Sequence, residues 1–492
     1  MRKYQPTIGL EIHLQLATKS KMFCSCENPK FNALPNSNIC PICLGHPGTL
    51  PTINKKAVEM ALFLGLALNG QIQKNSYFER KNYFYPDLPK GYQISQKRAP
   101  LVKNAFLEIA GEKIRIREIH LEEDTAKLYH FPDKTLIDFN RAGVPLLEIV
   151  TEPDIHSARV AKEFCRELQR IARTLKISQA DMEKGEMRCE VNISISNDDK
   201  NNLGTKVEVK NLNSFRAVER AIEYEIKRQK EILERGGKII QETRGWDEIN
   251  EITVEQRIKE EVEDYRYFPE PDLPSLEISD QLIKRLKNQL PELPSARRKR
   301  FIEEYGFSPI YAKILTEKEE HAQFVEEVMS LLREKLKEVV EEPEILEIEK
   351  KKIAKKVGDW MTRLFGLETT LGGNFLKKIK ANDFADFIYL LAMERKTISN
   401  KIAQDLLKKM YESGKSLEIL LSEEKLEEIS DEEEIKNVVG LVLENYPEAV
   451  ADYKKGKKTA IKYLIGQVMV ATKGKANPKV VEKLLIKFLE RN

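Results

Sequence analysis

A chain of 492 residues is too long for one ordinary hydrophobic core, so about two to four domains are expected. Its 82 basic and 79 acidic residues nearly cancel, which excludes polyanion binding through total charge and leaves only local patterning. No run of about 18 apolar residues occurs and the start, MRKYQPTIGLEIH, has no apolar signal core, so a cytoplasmic protein with no membrane association is expected.

The first predicted element is the strand IGLEIHLQL, Ile8 to Leu16. Side chains alternate across a strand, so Ile8, Leu10, Ile12, Leu14 and Leu16 form an apolar face while Glu11, His13 and Gln15 converge on the other. By itself the pattern also fits an edge strand with a wet outer face. Next, Cys24-x-Cys26 and Cys40-x-x-Cys43 lie thirteen residues apart. Two short-spaced pairs can wrap four thiolates around one ion in a closed, structural zinc site; two disulfides or free thiols are the alternative. A helix is expected over 54–68. The stretch SYFERKNYFYPDLPKGYQISQ (76–96) then interleaves Tyr77, Phe78, Tyr83, Phe84, Tyr85 and Tyr92 with Arg80, Lys81 and Lys90. Aromatic faces stack on bases and cations meet phosphates, which suits ATP or an unpaired RNA end; a packed aromatic turn is the competing reading.

Strands are expected at 113–122, 146–150, 187–196 and 205–212, and helices at 157–175 and 215–235. The first of these strands slips its apolar phase between Ile116 and Ile119, the sign of a bulge, and ends on Glu122, Glu123 and Asp124. Glu148 interrupts the apolar run LLEIV, and a charge there must be paired, metal-bound or at a strand end. With Glu11 and His13 these acids make a candidate Mg²⁺ and phosphate centre, since hard oxygen ligands suit a metal that neutralises a transferred phosphoryl group. Cys165 and Cys189 stand apart from the other cysteines and are expected in the core. Proline-rich segments at 268–275 and 290–300 close an α+β domain assigned to 1–292.

Beyond it only amphipathic helical periodicity is found, and the chain is divided into helical domains at 293–408 and 409–492 where charge segregates. Residues 415–453 hold 12 acidic and 3 basic side chains, whereas residues 454–492 hold 11 basic and 2 acidic. A basic helical end suits nucleic acid, and equally suits plain solvated surface. YESGKSL lacks the first glycine of a phosphate loop, with Lys409 in its place, and no Gly-x-Ser-x-Gly elbow or protease-like cysteine supplies a hydrolytic nucleophile.

The blocks GLEIHLQL, CPICLGHPGTLP, RKNYFYPDLPKGYQISQ, HLEEDTAK, DFNRAGVPLLEIVTEPD, QADMEKGEMRCEVNIS, EVKNLNSFRAVERAIEYEIKRQ, DYRYFPEPDLP and IGQVMVATKGKANP span nearly the whole chain. In order and content they resemble the GatB family, the B subunits of the aspartyl/glutamyl-tRNA amidotransferases. The resemblance implies a cradle-like α+β domain, an all-α helical domain and a small all-α tail of the YqeY type. It implies that ATP phosphorylates the side-chain carboxylate of glutamate or aspartate misacylated on tRNA, and that ammonia displaces the phosphate. It carries Mg²⁺ ligation to Glu11, His13, Glu123 and Glu148, with Glu122 and Asp124 competing for the place of Glu123. It puts Lys81 beside the ammonia route. The aromatic and basic stretch itself places Arg80, Tyr83 and Tyr85, with Glu122 and Asp124, near ATP or the tRNA end, and the charge break places Lys454, Lys455, Lys457, Lys458, Lys473 and Lys475 on tRNA. Implied partners are a separate glutaminase subunit, a small third subunit that completes a heterotrimer, and misacylated tRNA; Glu-tRNA(Gln), Asp-tRNA(Asn) or both remain open as substrate. The rival reading is a non-catalytic, zinc-stabilised tRNA-binding scaffold, which has no need of a buried Glu148.

Overall fold

A computed structural model describes residues 4–196, 203–258, 266–337, 343–393, 400–423, 432–454, 457, 459–472, 476 and 478–491. The chain divides into two compact units, Met1–Pro294 and Ser295–Asn492.

The first unit is built on a nine-stranded sheet. Its spatial order is Ile252–Ile258, Glu242–Asp247, Val207–Leu212, Met187–Ser196, Gln5–Gln15, Pro145–Thr151, Glu112–Glu123, Val102–Ile109 and Gln71–Ile72. All neighbours are antiparallel except Val207–Leu212 beside Glu242–Asp247. The Gln5–Gln15 strand is therefore not an edge: it is paired along both sides, with Pro145–Thr151 and Met187–Ser196. Ile8, Leu10, Ile12, Leu14 and Leu16 are all buried. They share one core with the helices Lys55–Ala67, Ala158–Thr174 and Phe215–Glu234. Each helix starts on a side-chain cap, Asn54, Ser157 or Ser214, accepting from first-turn N–H groups, worth roughly 1 kcal/mol apiece. Because these helices bury the apolar face, the polar face of the sheet is left to line a cleft.

Leu14 is 0% exposed in this core. Leu14→Ala should destabilise the first unit by about 2–5 kcal/mol, the cost of lost apolar burial plus a cavity. Denaturant titration followed by a probe in this unit checks it, and a loss below about 1 kcal/mol would contradict core placement.

The phase slip expected near Ile116 is a bulge. Val150 pairs with Glu118 and Thr151 with Ile116, so Arg117 is the extra residue.

The second unit is helical throughout its described residues. One core runs from Phe301 to Leu420 and another from Ile435 to Leu489. The expected division at 409 falls inside the helix Asn400–Ser413, whose Leu406, Leu407, Met410 and Tyr411 all belong to the first of these cores. Surface charge changes sign along the chain without following the packing, so it is a poor guide to where a core ends. Among the described residues no helix is long and apolar enough to cross a membrane.

Candidate active site and metal centres

Strand register assembles the polar face in rows, because residues opposite one another in antiparallel strands project to the same side. His13 lies opposite Glu148 and Arg188, and Glu148 lies opposite His120. One step along the strand, Glu11 lies opposite Val150 and Glu190. A further step brings Gly9 opposite Asn192, which in turn lies opposite Glu208. From these rows Glu11, His13, Glu148, Arg188, Glu190 and Glu208, together with Glu122, Lys81, Tyr83 and Lys210, line a cleft of about 510 Å³.

At its centre His13 Nε2 is 3.3 Å from Glu122 Oε1 and 3.8 Å from Glu148 Oε2. His120 Nε2 sits 3.1 Å from the same Glu148 oxygen. One ligand atom each from His13, Glu122 and Glu148 lies within 4.8 Å of the others, close enough to share a cation. Burial alone opposes charging His13, but the hydrogen bond to Glu122 and the charges of Glu122 and Glu148 outweigh it and push its pKa up to about 9. Burial likewise opposes ionising Glu148, yet His120, His13 and Lys81 hold its carboxyl well below the usual range. The two shifts describe one arrangement: an acidic pocket that selects positive charge.

A second acidic group, Glu11, Glu190 and Glu208, has the same compactness. Here Lys210 Nζ is 3.0 Å from Glu190 and 3.5 Å from Glu208, so a cation is already present. Glu11 therefore joins this neighbouring set rather than the His13 triad.

Glu123 is not in the cleft. It pairs with Pro145 and shares the face of Leu121, so its side chain emerges on the opposite side of the sheet from Glu122. There its Oε1 accepts from Ile94 N at 2.9 Å and forms an ion pair with Lys90, beside Cys43 and Gly45. The cluster with His13 and Glu148 that was expected to include Glu123 includes Glu122 instead, one residue earlier. Asp124 lines the cleft but is gripped by Arg141 at 2.6 Å and Arg188 at 2.9 Å. Although burial opposes its ionisation, the Arg188 and Arg141 charges hold its carboxyl below the usual value. It anchors Arg188 at the cleft wall and leaves cation binding to its neighbours.

Of the aromatic and basic stretch, Lys81 and Tyr83 reach the cleft, with Lys81 Nζ 5.7 Å from the Tyr83 ring centre. Arg80, one residue out of phase, does not. It forks onto Glu270 with two 2.8 Å bonds, reaches Asp272 at 3.1 Å and covers the Tyr92 ring at 4.3 Å. That makes it a tie for the Phe268–Pro269 strand, outside the cleft lining. Tyr85 is exposed and contributes nothing to the cleft lining.

Sulfur atoms of Cys24, Cys26, Cys40 and Cys43 lie within 4.8 Å of one another, and none is in a disulfide. Four thiolates at about 2.3 Å from a tetrahedral zinc stand about 3.8 Å apart, so the cluster fits that ion with a small contraction. Cys40 N donates to Cys43 Sγ at 3.2 Å, and the buried Lys21 ammonium is 3.6 Å from the same sulfur. With the Cys24 thiol donating first, then these groups, the Cys43 thiol is pulled down to about 4. Cys165 and Cys189 are buried in the core with their sulfurs 3.7 Å apart.

Of the tail lysines, Lys454 closes the helix Pro447–Lys454 and Lys457 pairs with Asp452 at 3.0 Å. Lys455, Lys458, Lys473 and Lys475 lie outside the described residues.

Sequence reading passed over His120, Arg188, Glu190, Glu208 and Lys210. Their signal was alternation: Glu118-x-His120-x-Glu122, Arg188-x-Glu190-x-Asn192 and Glu208-x-Lys210 each put polar groups on one face of a strand.

A mixed sheet that floors a cleft with histidine and carboxylates, followed by helical domains, defines the class. The model of the GatB/GatE catalytic domain matches residues 6–284, and that of the GatB domain matches residues 345–489. The chain belongs to the GatB family. It is 45% identical over 505 residues to the aspartyl/glutamyl-tRNA(Asn/Gln) amidotransferase B subunit of Thermotoga maritima, covering 99% of each chain. It is likewise 45% identical over 502 residues to the protein of that name from Caldicellulosiruptor saccharolyticus, covering 99% of this chain and 100% of that one. Against the one from Persephonella marina it is 42% identical over 494 residues, with the same coverage.

Proposed function

We propose that this chain is the GatB component of a tRNA-dependent amidotransferase, a ligase that converts misacylated Glu-tRNA(Gln), Asp-tRNA(Asn) or both into the amide. A carboxylate is a poor electrophile, so the γ-phosphoryl group of ATP is first passed to the side-chain oxygen of the esterified amino acid. Ammonia then attacks the carbonyl carbon and phosphate leaves with the C–O bond pair. The observation that carries the reading is the convergence of His13, Glu122 and Glu148. These three would hold Mg²⁺, which when bound neutralises charge on the transferred phosphoryl group. His120 fixes the Glu148 carboxylate, and Asp124 holds Arg188 at the cleft wall. Lys81, Arg188 and Lys210 are cations that line the cleft, in reach of an anionic reactant. The sequence holds no Gly-x-Ser-x-Gly elbow and no protease-like cysteine, in keeping with ammonia supplied by a partner, the glutaminase of a heterotrimer completed by a small third protein. Zinc in the four-cysteine cluster is structural, because four thiolates leave it no open position.

The test is the reconstituted complex given misacylated tRNA, ATP, Mg²⁺ and ammonium chloride in place of glutamine. Amide formation that still requires ATP, and fails with Glu148→Gln in this chain, supports the reading. Amide formation indifferent to Glu148→Gln returns the chain to the scaffold role.

The basic C-terminal segment adds a second expectation. Truncation after Glu423 spares the first helical core, which ends at Leu420 with Leu421 packed against it. If its lysines neutralise tRNA phosphates, each lost contact reduces the slope of log affinity against log salt by about 0.7–0.9. The truncated chain should bind tRNA more weakly and with a flatter salt dependence, while turnover at saturating tRNA stays within about tenfold. Filter binding across a salt series checks this, and an unchanged slope assigns the segment to solvated surface.

A further inference from the structure

The side chain of Lys21 is fully buried, and among the described residues no carboxylate pairs with its ammonium. A buried cation without a counter-charge is costly. Its polar contacts are Cys43 Sγ at 3.6 Å and the Phe139 carbonyl oxygen at 3.4 Å. Four thiolates around a divalent ion leave a net negative charge, so the loaded cysteine cluster would supply the missing partner. The contact with Phe139 reaches a separate part of the chain, the short 3₁₀ turn Phe139–Arg141.

Other bonds from the cysteine lobe converge on the same turn. Asp138 Oδ1 accepts from Asn36 N at 2.9 Å, and Phe139 N donates to Asn36 Oδ1 at 2.7 Å. Asn140 Oδ1 accepts from Asn38 N at 2.8 Å, while its Nδ2 donates to the Leu34 carbonyl oxygen at 2.6 Å. Met22 N donates to the Gly143 carbonyl oxygen at 2.7 Å. Residues 28–39, between the two cysteine pairs, form no helix or strand, so the cysteines at either end are what hold this stretch in shape.

From the turn the contacts lead to the cleft. Gly143 N donates to the Asp124 carbonyl oxygen at 2.9 Å and Asp124 N to that of Val144 at 2.8 Å, so the backbone of Asp124 follows the end of the turn. Arg141 grips one oxygen of the Asp124 carboxylate at 2.6 Å, and the other oxygen holds Arg188 at 2.9 Å.

We infer that Lys21 is a positioning residue for the cleft: it couples the cysteine lobe to the turn Phe139–Arg141 and, through Arg141 and Asp124, sets where the Arg188 guanidinium sits. The inference rests on the anion-binding role proposed for Arg188. Lys21 touches no reactant; its effect on the reaction passes through Arg188 alone.

A double-mutant cycle on the assembled complex, kept in excess zinc, tests the coupling, since substitutions that act through one residue fail to add. The probe is inorganic tripolyphosphate with Mg²⁺, followed by calorimetry, with the zinc content taken from elemental analysis. Lys21→Met keeps the length of the side chain and removes its charge. It should retain zinc and raise the tripolyphosphate Kd by about tenfold, the scale of losing an outer-shell partner. In an Arg188→Ala background the same substitution should change that Kd by less than about twofold. The KM for ATP should rise with the Kd, while the KM for misacylated tRNA stays at the wild-type value. Asn140→Ala cuts two of the bonds between lobe and turn but leaves Lys21 in place, so it should show the same dependence on Arg188. It carries the test if Lys21→Met loses zinc. In whichever variant is zinc-loaded, a wild-type Kd overturns the inference, and so does an equal loss with and without Arg188. If Arg188→Ala itself binds tripolyphosphate as wild type does, the anion role proposed for the cleft falls, and the inference with it.

Discussion

Glu122→Gln is expected to lower tRNA-dependent ATP hydrolysis by at least about 10³-fold, roughly 4 kcal/mol of transition-state stabilisation. The substitution keeps size and shape but removes a charge from a pocket where ligand atoms of His13, Glu122 and Glu148 already lie within 4.8 Å of one another. A cation shared by three such groups loses both affinity and placement when one becomes neutral. Glu123→Gln is the matched control, because its side chain lies across the sheet against Lys90 and Ile94. ATP hydrolysis in that variant should remain within about tenfold of wild type. Parallel assays at saturating Mg²⁺ and across a Mg²⁺ titration decide the matter. Equal losses in both variants would mean the face assignment carries no chemical consequence.

Stripping the metal from the four-cysteine cluster should have the largest effect on stability. Structural zinc contributes about 10–16 kcal/mol of apparent binding free energy, comparable with the whole stability of an ordinary domain. The paired substitution Cys24→Ser, Cys43→Ser should therefore lower the melting temperature of the first unit by at least about 10 °C, while the helical unit, with cores of its own, keeps its transition. Chelation should reproduce this in wild type. Elemental analysis giving well under one zinc per chain, with melting unaffected by chelator, would sink the assignment.

How far the site was legible depended on which physical constraint each residue answers to. The face of Gln5–Gln15 was readable because a period of two fixes which side chains meet water, and the helices packed beneath it were placed within a residue or two of ends that Asn54, Ser157 and Ser214 cap. Glu122 and Glu123 could not be separated with the bulge unplaced, since a slip of one residue exchanges the two faces of a strand. Counting forward from Leu121, which is buried, gives the right parity: Glu123 shares its face and Glu122 does not. The partners of His13 needed more than parity. Arg188 and Glu190 are some 175 residues away in sequence, and only strand register brings them alongside His13 and Glu11. Arg80 looked equivalent to Lys81 in composition, but alternation sends the two to opposite sides.

The central position of the first strand also sets a schedule for the protein's synthesis. Gln5–Gln15 leaves the ribosome well before its sheet neighbours, which begin at Pro145 and Met187. At about 5–20 residues per second, the 129 residues between Gln15 and Pro145 take roughly 6–26 s to be translated. Throughout that interval a five-residue apolar row, Ile8 to Leu16, has neither strand partner nor helix cover from 145 onward. Nascent-chain binding to a general holdase should therefore peak before residue 145 has emerged and fall once the Met187–Ser196 strand has closed the second side.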